Sequence, residues 1–302
     1  MKTELQIFLD RFPYPSEAKT ALLQGLDQIL SNAEAARLLL TPIEAYKNGA
    51  SIDYGAAIQD AAAAGAAAGV HEYTAQFLLF ACMGESLRLR YKEKGIDEAI
   101  WYDSMMDLIY KLHECHALHG IWGTFVAFWY DGFFAMTRFA LGRLQYEVTT
   151  YYLTDTYSGH GITMKRDEKK VLNTHIPSSG PLRHEDVLDS YRRAYQFYND
   201  LTINGMLPII CGSWLLYDRL KEFLPADSNI IRFQSDFEIV NNIELGGFDE
   251  CWRIYNMNYP GDPALLPRNT SLQRRYADWL AAGGVSGAGY GILWFDGEKV
   301  VK

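Results

Sequence analysis

Lys170–Ile176 reads KVLNTHI, and the next five residues are Pro177-Ser178-Ser179-Gly180-Pro181. The first run is a short strand, with Asn173 and His175 on one face and Thr174 and Ile176 on the other. Beyond the turn, Val187, Leu188, Tyr191, Ala194, Tyr195 and Tyr198 recur at helical spacing and predict a helix across His184–Leu201. A glycine-containing turn that feeds a helix start aims several backbone N–H groups in one direction. The positive end of the helix dipole adds to them, and together they suit an anion such as a pyrophosphate. Three features oppose that use: a single Gly in the turn, the missing N–H of Pro181, and the first-turn acids Glu185 and Asp186. An ordinary capped turn is the plain alternative.

The alternation of strand and helix continues downstream. Met206–Cys211 (MLPIIC) reads as a buried strand and Leu215–Phe223 as a short helix. Ile230–Phe233, Phe237–Ile243 and Trp252–Met257 read as strands, Ser271–Ala282 as a helix and Tyr290–Phe295 as a last strand. Upstream, Arg143–Leu153 is aromatic, β-branched and alternating, a strand able to pair with Lys170–Ile176. Before residue 140 no strand is found. Helical periodicity fills that half, most plainly in Val70–Tyr91 and Asp97–His119, with Gly95 and Gly120 placed as C-terminal caps. Ala56–Ala68 is nearly all Ala, which predicts two helices in close approach. Trp122–Ala140 is apolar on nearly every face and reads as a buried helix joining the halves. The fold class is therefore α+β: an all-helical N-terminal domain over residues 1–121, then a mixed-sheet α/β domain over residues 122–302.

Composition narrows the function. With 28 basic and 37 acidic residues the net charge is −9, which argues against nucleic-acid binding. Cys82, Cys115, Cys211 and Cys251 lie far apart with no CxxC, so neither a disulfide framework nor a zinc ribbon is expected. No secretion signal and no membrane span are read from the sequence, which places the protein in the cytoplasm.

Several residue groups could carry chemistry. His175, at a strand end beside the turn, could take a proton near neutral pH; its plain alternative is a hydrogen bond to a backbone group. Cys211 and Ser213 flank Gly212 at a second strand end, and either could be a nucleophile, although no base is identifiable nearby. Tyr217 and Asp218 follow within a turn. His113, His116 and His119 fan around a helix and lack the HExxH spacing of a metal site, so no metal is expected. Asp236, Glu238 and Glu244 could do acid–base work, but solvated edge residues are the simpler account.

The order of elements from residue 143 onward, with RLQYE (143–147), LNTHIPSSGPL (172–182) and ICGSWLLY (210–217), resembles the GNAT superfamily of acyl-CoA-dependent N-acyltransferases. More narrowly, the chain resembles bacterial acyltransferase-domain proteins that join a helical N-terminal domain to a GNAT-like C-terminal domain. The resemblance implies acetyl-CoA or another acyl-CoA as co-substrate and direct transfer to a small amine acceptor. It implies that Ser178, Ser179, Gly180 and Leu182 hold the pyrophosphate, that His175 or Asn173 faces the amine, and that Tyr217 lies near the departing thiolate. A small-molecule acceptor is the expected partner, with neither membrane nor nucleic acid, and a homodimer is left open. The sequence departs from the superfamily in lacking a basic or Gln-led phosphate loop, in an insertion at 229–243 and in an extra helix at 271–282. The alternative is a non-catalytic ligand-binding or regulatory protein on the same fold.

Overall fold

The computed structural model describes residues 1–302, which form two compact units, Met1–Phe139 and Ala140–Lys302. The first unit is helical: α1 (Lys2–Asp10), α2 (Ser16–Ser31), α3 (Ala33–Lys47), α4 (Tyr54–Ala68), α5 (Glu72–Ala81), α6 (Gly84–Glu93), α7 (Glu98–His119) and the single turn α8 (Asp131–Phe134). Local chemistry sets these ends. The Asn32 side chain accepts from the amides of Glu34 and Ala35 to open α3, and Gly120 closes α7 in the left-handed conformation. The helix predicted over Val70–Tyr91 is instead two, broken at Cys82–Met83. The Phe8 ring fills the space that a Cβ on Gly84 would need.

Trp122–Ala140 is not one helix. It runs as irregular chain, a 3-10 turn (Ala127–Tyr130), α8 and the start of the first strand. Gly123 and Gly132 allow close approaches, by the Tyr73 backbone and the Arg138 side chain respectively. Tyr130 and Phe134 pack on Phe80, and the Tyr46 hydroxyl donates to the Phe134 carbonyl. This segment therefore belongs to the helical unit, and the division falls at 139/140 where 121/122 was expected.

The second unit holds β1 (Arg138–Leu141, straddling the division), β2 (Leu144–Thr150), β3 (Thr156–Gly159), β4 (Ile162–Lys165), β5 (Lys170–His175), α9 (His184–Phe197), β6 (Leu207–Ser213), α10 (Asn229–Ser235), β7 (Glu238–Glu244), α11 (Cys251–Tyr255), α12 (Ser271–Ala281), β8 (Gly287–Phe295) and β9 (Val300–Val301). Seven strands form one sheet in the order β1-β2-β5-β6-β8-β7, with β9 on β8; β3 and β4 make a separate hairpin. Two predicted strands are helices, α10 in place of Ile230–Phe233 and α11 in place of Trp252–Met257. The short helix expected at Leu215–Phe223 is a pair of 3-10 turns.

The sheet has two differently covered faces. On one lies α9: Ser190 Oγ donates to the Leu141 carbonyl (2.6 Å), accepts from the Leu144 amide (3.1 Å) and bonds the Tyr146 hydroxyl (3.0 Å). On the other, Tyr157, Ile162 and Met164 of the β3–β4 hairpin pack with Val171, Ile210, Ile292 and Trp294. Alternation from Val171 puts Asn173 and His175 on that hairpin face.

Candidate functional site

Strand pairing creates the opening. β2 and β5 are antiparallel over six pairs, from Gln145↔His175 to Thr150↔Lys170, and β6 and β8 over seven, from Leu207↔Phe295 to Ser213↔Gly289. Between them β5 and β6 run parallel, in register only at Leu172↔Ile209 and Asn173↔Ile210. Past that point the ladder between the two strands ends. The gap is flanked by His175 on one side and Cys211–Ser213 on the other, and the 176–183 turn begins at its mouth.

The register also aligns polar side chains. Glu147 faces Asn173 directly and Gln145 faces His175. His175 Nε2 is 2.8 Å from Glu147 Oε1, and Asn173 Nδ2 lies 3.4 Å from both that oxygen and the His nitrogen. The His175 and Glu147 side chains are each about a fifth to a quarter exposed, 20% and 24%. They therefore sit in reach of a ligand while being partly shielded from water. Glu147 carries the charge of this group and was not singled out from sequence. Its partner is 28 residues away, and only cross-strand register brings them together. On the same face, the Tyr290 ring lies across Gly212, where a Cβ would come within 2.8 Å of it. Gly212 is thus a close-approach glycine.

In the turn, Gly180 has φ +108°, a left-handed value that favours glycine. The amides of Ser179, Gly180 and Leu182 donate to no group of the chain. Carbonyls of the turn point the other way, onto Arg143: Nη1 donates to Pro177 O (3.0 Å), Nη2 to Gly180 O (2.8 Å) and Nε to Pro181 O (3.2 Å). Arg183 pairs with Asp186 at 2.8 Å, which draws that first-turn carboxylate aside.

Tyr217 lies apart from this group. Its ring occupies the space above Gly287 of β8, on the flank of β6 away from β5, and it is buried with Leu220, Phe248 and Tyr276. The phenol donates to Glu244 (3.5 Å), and burial raises its pKa. This surrounding packs Tyr217 in the core. Cys211 is fully buried, and burial pushes its thiol up to about 12; the Ser213 hydroxyl caps the Leu215 amide. Neither is set up as a nucleophile. The three acids Asp236, Glu238 and Glu244 are separated, each with its own partner: His184 (3.1 Å), Tyr157 (2.8 Å) and Arg219 (3.1 Å). Burial holds the Asp236 carboxyl above the ordinary aspartate range, with His184 pulling the other way. His116 stacks on Trp122 at 3.6 Å, and His119 packs on Tyr73 and Phe125, so that cluster is aromatic packing.

Residues 3–136 match the N-acyltransferase N-terminal domain, and residues 139–293 match the GNAT-like C-terminal domain. The chain belongs to this family of N-acyltransferases. Membership makes it an enzyme that uses an acyl-CoA as co-substrate. No curated protein matches the sequence. Among solved structures, an acyltransferase in complex with decanoyl-CoA is similar at 20% identity, with TM-score 0.68, over 95% of this chain and 86% of that one. An acyltransferase in complex with decanoyl-CoA and teicoplanin is similar at 21% identity, with TM-score 0.62, over 74% and 67%. A mutant acyltransferase in complex with octanoyl-CoA is similar at 18% identity, with TM-score 0.62, over 99% and 100%. These likenesses show a shared fold. No helix of this N-acyltransferase is long and apolar enough to cross a membrane.

Proposed function

We propose that this N-acyltransferase moves a medium-length acyl chain from acyl-CoA to an amine, with the reaction centred on the β5–β6 opening. The observation that carries the reading is the two-pair limit of that parallel contact, directly beside a turn in which the Ser179, Gly180 and Leu182 amides are unengaged. The opening leaves backbone edges for an amide-bearing pantetheine arm. The amides of Ser179, Gly180 and Leu182, with Ser178 beside them, suit its pyrophosphate. A bound acyl-CoA supplies an activated acyl carbon and a thiolate leaving group.

The chain's own residues do the rest. His175, oriented by donating its Nε2–H to Glu147, takes on Nδ1 the proton that an attacking amine must shed, and the Asn173 amide donates to the same carboxylate. No protein nucleophile is required, in keeping with a buried, protonated Cys211. Octanoyl and decanoyl chains in the similar structures favour a donor longer than acetyl. Teicoplanin in one of them makes a large amine-bearing acceptor the class to compare with a small amine.

The test pairs binding with turnover. Octanoyl- and decanoyl-CoA should raise the thermal midpoint more than acetyl-CoA does. A ligand at about a hundred times its Kd adds roughly 2.7 kcal/mol, a shift of several degrees. His175→Ala should keep that shift while lowering kcat by about 10² to 10⁴. Absence of stabilisation by every acyl-CoA at millimolar concentration would sink the proposal.

A further inference from the structure

The geometry points to Arg143 as a positioning residue that shapes the 177–182 turn to receive phosphate, standing in for a basic residue within the turn itself. This rests on the reading of that turn as the pyrophosphate site. Arg143 follows Gly142 (φ +80°) in the tight turn between β1 and β2, immediately before Leu144 opens β2, so the two flanking strands hold its backbone. Its guanidinium is planar and rigid, and all three of its nitrogens donate to carbonyls of one turn, those of Pro177, Gly180 and Pro181.

Peptide planarity turns that contact into a consequence. All peptide bonds here are trans, so each N–H points opposite the carbonyl of its own peptide unit. Drawing the Pro177 carbonyl onto Arg143 aims the Ser178 N–H away from it. Drawing in the Pro181 carbonyl does the same for the Leu182 N–H. The third captured carbonyl, of Gly180, precedes Pro181, which has no N–H to aim, so this bond serves only to fix the turn. Arg143 therefore fixes a turn with one glycine and two prolines and points the Ser178 and Leu182 N–H groups away from itself. Its positive charge lies behind those donors, where it favours an anion in front of them.

Lysine could supply the charge but not the shape, since one ammonium cannot hold three carbonyls in a fixed fork. That difference gives the experiment. Turnover is measured with an acyl-CoA and with the matching acyl-pantetheine thioester, which lacks the pyrophosphate, for the wild type, Arg143→Lys, Arg143→Ala and Leu182→Pro. For both Arg143 variants, KM for acyl-CoA should rise about tenfold or more with kcat within about twofold. With acyl-pantetheine, kcat/KM should stay at the wild-type value. Leu182→Pro, which deletes one donor, should show the same selective loss.

Arg143→Lys matching the wild type with acyl-CoA would overturn the inference, because charge alone would then suffice. So would an equal loss with both donors in either Arg143 variant, since that is the mark of a general packing role. Should Arg143→Ala fail to fold, Arg143→Lys decides alone. A wild type that does not prefer acyl-CoA over acyl-pantetheine, or a Leu182→Pro variant with no selective loss, would overturn the pyrophosphate reading itself, and the inference with it. Selective loss in Leu182→Pro with none in either Arg143 variant would leave that reading standing and remove only Arg143's part.

Discussion

A thiol and a carboxylate, both within the second unit, show how environment sorts reactive side chains. Cys211 borders the opening in sequence but points into the α9 side of the sheet, where burial pushes its thiol up to about 12. A thiol so far above neutral pH supplies almost no thiolate. Cys82 and Cys115 are pushed to about 12 and Cys251 to about 11, again by burial. The native protein should therefore resist a thiol reagent at pH 8 and react at four positions once unfolded. Cys211→Ala should lower stability by about 1–2 kcal/mol through a small cavity while leaving kcat within about threefold. Rapid labelling of the native protein at Cys211, accompanied by inactivation, would revive a nucleophilic role. Glu147 is the opposite case, a partly exposed charge beside His175. His175 and Asn173 were legible in the sequence because they share one strand face with spacing two. Glu147 was not, because its proximity depends on which residue of β2 faces which of β5, and strand periodicity does not encode register. Arg143 was hidden for a related reason: nothing local announces that its partners are carbonyls more than thirty residues on.

At the scale of elements, small residues let α4 and α5 pack closely. A Cβ on Gly65 would lie 2.7 Å from the Val70 carbonyl and 3.0 Å from the Ala75 Cβ. Against this, replacing a mid-helix glycine by alanine gains roughly 1 kcal/mol of helix propensity. The steric term wins where the obstacle is backbone, so Gly65→Ala should lower the thermal midpoint, at a cost of about 1–3 kcal/mol. Gly55→Ala, in the first turn of the same helix, meets no backbone, only the capping Asp53 Oδ1 at 3.3 Å, and should lower the midpoint less than Gly65→Ala does. Equal effects from both substitutions would show that close packing is not what holds Gly65. The alanine-rich run was readable as a close helix approach because composition alone signals it. Trp252–Met257 was not readable as helix. WRIYNM is too short to separate a period of 2 from one of 3.6, and its helix is a single turn closed by Asn256 in the left-handed conformation. Trp122–Ala140 failed differently: apolar residues on every face suggested a buried helix, while Gly123, Gly132 and a left-handed Met136 bend the chain into short pieces.

For the whole molecule, charge and cosubstrate conflict. The chain carries −9, divided as 11 basic against 17 acidic residues in Met1–Phe139 and 17 against 20 in Ala140–Lys302. Acyl-CoA is itself a polyanion, so the long-range field repels it, and attraction must come from the few groups next to the turn. Those local charges nearly balance: Arg143 and Arg183 stand against Glu185 and Asp186. Salt shortens the Debye length from about 30 Å at 0.01 M to about 8 Å at 0.15 M, which screens the distant acids more than contacts at the turn. Below saturation, kcat/KM for acyl-CoA should accordingly rise with salt over that range, by up to about threefold, while an uncharged acyl-pantetheine shows no trend. A fall of threefold or more would mean that cations at the turn dominate at long range, and that the acidic surface lies too far from the approach path to matter.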